Sequence, residues 1–114
     1  MRLNPTKAAE LDRRSAKAAA EAWFAEQLEA GYTVPVLGFR LGLRQEDVTL
    51  LTGAFVLAKE AAGLGLAVPA IIDADGVPRQ LTLAELTTTM LGYGQRRAEL
   101  SAQYAAMAAA AEEA

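Results

Sequence analysis

The stretch that most limits what this chain can fold into runs from Thr82 to the C-terminus. It begins Thr82-Leu83-Ala84-Glu85, a Thr followed three residues later by a Glu. In that arrangement the Thr oxygen accepts a free backbone N–H of a helix's first turn, and the Glu reaches back to the N–H of the cap. Large side chains then recur at Leu83, Leu86, Met90, Tyr93, Arg97, Leu100, Tyr104 and Met107. Alternating steps of three and four align them as one stripe along a helix of up to about thirty residues. None of them suggests a catalyst.

The segments ahead of it alternate helix and ribbon. Asn4-Pro5 predicts a helix start, with Asn as cap and Pro at the first helical position, where its missing N–H costs nothing. Nothing breaks that helix before Ala30, and Gly31 is the expected stop. Its bulk, Trp23, Phe24 and Leu28, sits at the C-terminal end. Tyr32-Thr33-Val34 favours strand, Leu37-Gly38 can turn a short hairpin, and Pro35 confines the strand to an edge or a kink. Glu46 and Asp47 then sit at the positive end of a second helix, 48 to about 62. Leu51, Ala54, Phe55, Ala58 and Ala62 form one face of it, while Leu50, Leu57 and Leu64 lie to another side. Apolar residues so widely spread predict the buried helix of the fold, with Gly53 admitting a close backbone. Gly63-Leu64-Gly65 ends it. Residues 67–81 predict a second hairpin about Asp73-Ala74-Asp75-Gly76, because Asp-Gly tolerates the positive φ of a tight turn.

The expected fold class is α+β, in the order helix, short hairpin, helix, hairpin, long helix. The two ribbons would form a small antiparallel sheet packed on a central buried helix. At 114 residues this is one domain, divided into an N-terminal helix (1–30), a central core (31–81) and a long C-terminal helix (82–114). Apolar residues make up 53% of the chain, but much of that is alanine near the two ends. Alanine favours helix and fills little volume, so the terminal helices have thin faces. The seven aromatics, Trp23, Phe24, Tyr32, Phe39, Phe55, Tyr93 and Tyr104, mark where those helices should meet the core.

Composition narrows the chemistry. Eleven Lys and Arg stand against fourteen Asp and Glu, which argues against nucleic acid as a partner. The N-terminal bases (Arg2, Lys7, Arg13, Arg14, Lys17) are interleaved with Glu10, Asp12 and Glu21, as on a solvated helix face. With no cysteine and no histidine in the chain, it lacks thiolate chemistry, the commonest general base and the commonest metal ligand. The N-terminus lacks the apolar core of a signal peptide, and no run is long enough for a membrane span. A soluble protein made in a cytoplasm is expected. Asp73-Ala74-Asp75-Gly76 fails as a calcium loop after two ligands, since the later positions fall on Val77, Pro78 and Ala84. Gly63-Leu64-Gly65 follows a helix and has no lysine behind it, so it is a terminator rather than a phosphate loop. Glu46, Asp47, Glu60, Asp73, Asp75 and Glu85 each have a place at a helix end or turn, and Ser15 and Ser101 have no base to activate them. No enzyme, cofactor or metal site is expected.

The long stripe points to association instead. Its first heptad positions are Leu83, Met90, Arg97, Tyr104 and Ala111, and its fourth are Leu86, Tyr93, Leu100 and Met107. A small core covers only part of such a stripe, which leaves the portion beyond about Arg97 to a partner. The alternative is that the first helix folds back along it antiparallel within one chain. The candidate contact residues are Trp23, Phe24, Leu28, Leu83, Leu86, Met90, Tyr93, Arg97, Leu100, Tyr104 and Met107.

Several features occur together: the charged first helix ending in Gly31-Tyr32, the start Glu46-Asp47 leading into Leu50-Leu51-Thr52-Gly53-Ala54, and the Asp75-Gly76 turn. Leu81-Thr82 with Glu85-Leu86, and the late Tyr104, complete the set. In these, the segment 13–107 resembles a small domain-of-unknown-function family of bacteriophage and prophage tail proteins, found beside or fused to tail fibres and fibre assembly proteins. The chain departs from that pattern ahead of the second helix, where an aspartate is expected, and near Ile71, where a tryptophan is. The resemblance implies a non-enzymatic structural or connecting role in the tail of a virion made in a bacterial cytoplasm. It also implies, as partners, other tail proteins or further copies of the chain. A fibre assembly chaperone that leaves before maturation, and a small regulatory protein-binding module, are the alternatives.

Overall fold

The structure, a computed structural model, describes residues 5–113, without the Pro5 side chain. The expected Asn4 cap lies outside the described residues. The elements are α1 (Pro5–Ala30), β1 (Tyr32–Thr33), β2 (Arg40–Leu41), α2 (Gln45–Gly63), β3 (Ile71–Ile72), β4 (Pro78–Arg79) and α3 (Leu83–Glu113). This is the α+β order read from the sequence. The molecule is a rod of 71 × 23 × 22 Å.

The helix ends follow their local chemistry. At α3 the Glu85 N–H donates to Thr82 Oγ1 (3.1 Å) and the Thr82 N–H donates to Glu85 Oε1 (2.9 Å), so both halves of the capping box form. At α2, Asp47 Oδ2 accepts from the Arg44 N–H and from Arg44 Nε, both at 3.1 Å. The other end of α2 closes with Gly65 at φ +72°, where the Gly65 N–H donates to the Ala62 carbonyl and the Leu66 N–H to the Ala61 carbonyl. These two bonds satisfy carbonyls that a helix end leaves free. Gly31, at φ +79°, ends α1. The last carbonyls of α1, on Glu29 and Ala30, accept from Arg40 Nη1 at 3.0 and 3.1 Å.

The strands are short and form two separate ribbons. Tyr32 pairs with Leu41 and Thr33 with Arg40, while Ile71 pairs with Arg79 and Ile72 with Pro78. The expected single sheet does not form. A lone backbone bond links the ribbons, from the Ala74 N–H to the Arg40 carbonyl at 2.8 Å. Prolines 35 and 78 lie in or beside strands of two residues, in keeping with the ladder donors they lack.

Val34, Phe39, Leu41, Leu43, Leu51, Ala58, Ile71, Leu81, Leu86, Tyr93 and Leu100 make the core, where the hairpins and α2 meet the first two-thirds of α3. Trp23, Phe24, Leu28, Tyr32, Val48, Ala54, Phe55, Val68, Leu83 and Met90 pack around it. Beyond the core only the α1–α3 pair continues, held by small contacts such as buried Ala20 and Ala111. Two expectations about α2 are corrected. Leu51 and Ala58 are its buried residues, whereas Leu50, Val56 and Leu57 are 73%, 46% and 58% exposed. Nothing in the chain lies within 4 Å of a Cβ built on Gly53, so no backbone approaches there. One half of the circumference faces the core because α2 packs at the end of the α1–α3 pair rather than between its helices.

Candidate interaction surface

The predicted contact residues meet one another. α1 runs antiparallel to α3, and the Phe24 ring stacks on Tyr104 with centroids 4.6 Å apart and planes 2° from parallel. Two turns earlier on α3, the Arg97 guanidinium carbon stands 5.1 Å from the same Phe24 ring, where the π face attracts a cation. Arg97 Nε also donates to the Leu43 carbonyl (2.8 Å) and Nη1 to Ser101 Oγ (2.7 Å). The Tyr93 hydroxyl donates to the Gly42 carbonyl at 2.7 Å. Its ring lies edge-on to Tyr32, and Tyr32 in turn packs on Gly92, which has no Cβ to obstruct it. Burial is the main cause that pushes the Tyr93 hydroxyl up to about 12, with Asp47 adding to it and Arg97 opposing.

Within one chain this seam covers most of the stripe. Leu86, Tyr93 and Leu100 are at most 2% exposed, and Trp23, Phe24, Leu28, Leu83, Met90, Arg97 and Tyr104 are half-buried. Met107 is 36% exposed and is the candidate that most faces solvent. The stripe beyond Arg97 is therefore not left free, because α1 is long enough to run back along it.

The open apolar surface lies elsewhere. Leu50, Leu57 and Leu64 recur every two turns along the outer face of α2 and its cap, exposed at 73%, 58% and 76%. Gly53 sits among them as an unfilled notch. Beside Leu50, a groove of about 320 Å³ opens between α2 and β3, walled by Leu51, Ala54, Ile71 and Ile72. The seven-residue leucine spacing was visible in the sequence, but a spread of apolar residues does not distinguish a buried helix from one with an outward apolar face. A second apolar groove of about 680 Å³ runs between the first hairpin (Tyr32, Val34, Pro35, Val36, Leu37) and the start of α3 (Thr88, Leu91, Gly92, Gln95). At its rim Val36 is fully exposed at φ 69°, a backbone conformation that costs a β-branched residue.

The charged groups near these surfaces face one another. Arg44 pairs with Glu29, Glu46 and Asp47, and Arg40 with Asp75. Asp73 is buried in the second turn. Its Oδ1 accepts the Asp75 and Val77 N–H groups, and its Oδ2 accepts Arg79 Nε at 2.8 Å. The Val77 N–H foremost, then Arg79, holds its carboxyl below the usual value. Both oxygens of that carboxylate serve the turn. No helix is long and apolar enough to cross a membrane among the described residues. No protein-family model, curated protein or solved structure matches this chain.

Proposed function

We propose that this chain is a non-enzymatic structural or connecting protein of a phage tail or related particle, acting through helix-mediated association. The observation that carries the association is the outward leucine face of α2 on a rod-shaped molecule. Monomers ordinarily expose large side chains singly, and a contiguous apolar face marks a contact site. The placement in a tail rests on the resemblance of residues 13–107. A role without catalysis is supported by the use made of the carboxylates: Asp47 caps a helix, Asp73 holds a turn, and Glu85 completes the capping box. Such a chain takes neither nucleic acid nor membrane as its partner.

The same face would serve an assembly chaperone, which binds a fibre and leaves. Quantitative mass spectrometry of purified particles and of the unassembled fraction of the same lysate separates the two. A fixed copy number per particle supports the structural reading. Presence only with unassembled fibre protein supports the chaperone, and absence from both overturns the tail assignment.

A further inference from the structure

We infer that two copies of this chain pair antiparallel through the outer faces of α2, with Leu57 of each filling the Gly53 notch of the other. This deepens the association reading above and rests on it. The first argument is area. Leu50, Val56, Leu57, Leu64, Leu66 and Ile72 are each 46% exposed or more; Leu50, Leu57 and Leu64 form one ridge, and Ile72 lines the same groove as Leu50. A ridge of this length reaches the about 300–600 Å² of the largest patch on a typical monomer, against the roughly 800 Å² each partner contributes to a standard interface.

The second argument is self-complementarity. A twofold contact requires a surface that carries both a projection and the recess for it. The α2 face has both: the leucine ridge, and the notch at Gly53 where an added Cβ would meet nothing. A glycine inside a helix costs about 1 kcal/mol relative to alanine, and within one chain nothing uses the space it leaves. With the axis midway between Gly53 and Leu57, each Leu57 lies over the opposing Gly53. The backbones can then approach closely.

The third argument is charge. In this register Glu60 lies beside Leu50 of the second copy and Glu46 beside Leu64, so no two carboxylates stand directly opposite. A parallel pair would set Glu46 against Glu46 and Glu60 against Glu60.

The test is the solution mass of the full chain by light scattering across a dilution series, for the native protein, Leu57→Glu, Gly53→Leu and Met107→Glu. Leu57 and Gly53 are exposed in the single chain, and circular dichroism checks that each variant keeps its helix. The expected result is a dimer that falls to monomer in Leu57→Glu and in Gly53→Leu and persists in Met107→Glu. A monomer at every concentration overturns the inference. So does a dimer lost in Met107→Glu but kept in the α2 variants, although that outcome leaves the association reading standing on the α1–α3 seam.

Discussion

The Tyr93 hydroxyl donates to the Gly42 carbonyl at 2.7 Å, across fifty-one residues of chain. One turn later on α3, Arg97 Nε takes the neighbouring carbonyl of Leu43. These two side chains hold the entrance of α2 against the long helix, and so set the direction in which its outer face points. Tyr93→Phe leaves the Gly42 carbonyl without this donor in a half-buried position. It should cost about 1–2 kcal/mol in urea unfolding, with little change in helix content.

Tyr93 also couples stability to high pH. Its folded-state pKa is raised to about 12 from an ordinary 10.0. Because the fold favours the neutral phenol, its contribution is complete below pH 10 and is lost as pH rises through about 12. Unfolding midpoints measured between pH 9 and 12 should fall for the native chain. The decline should be shallower in Tyr93→Phe.

Acid acts on the second hairpin. Asp73 has a folded-state pKa lowered from 3.8 by the Val77 N–H and Arg79. Its contribution is present above that value and lost as pH falls through the lower folded pKa. Hydrogen exchange at the Asp75 and Val77 amides, both donors to Asp73 Oδ1, should lose protection at acid pH. In Asp73→Asn the same amides should be less protected at neutral pH and less sensitive to acid.

The Phe24–Tyr104 stack ties the C-terminal half of α1 to α3. Phe24→Ala should destabilise the chain by about 2–4 kcal/mol, at or below the usual range for a core Phe because the ring is half-buried. A double-mutant cycle with Tyr104→Ala should give a coupling of about 0.5–1.5 kcal/mol. A coupling near zero would show that α1 does not lie along α3 in solution.

Two glycines of helical conformation should respond oppositely to alanine. Gly53→Ala meets open space and should stabilise the single chain by about 0.5–1 kcal/mol. Gly92→Ala drives a methyl against the Tyr32 hydroxyl and should destabilise it. Thermal midpoints of the two variants, each compared with the native chain at a dilution where it is monomeric, should move in opposite directions.

What the sequence determined by itself is local. Thr82 and Glu85 define the start of α3 because a capping box needs no residue outside its own turn. Gly31 and Gly65 stop their helices through a positive φ that other residues resist, and Asp73 to Gly76 make their turn from their own donors and acceptors. The stripe on α3 was legible as a face that must be covered. Tertiary structure decided what covers it. Leu100 and Tyr104 could have met another chain or α1, since the same apolar pattern satisfies either, and the return of α1 places Phe24 there. It also decided that α2 turns Leu51 and Ala58 inward and Leu50 and Leu57 out. Periodicity places residues on a helix face, but which face is buried depends on where the neighbouring elements end.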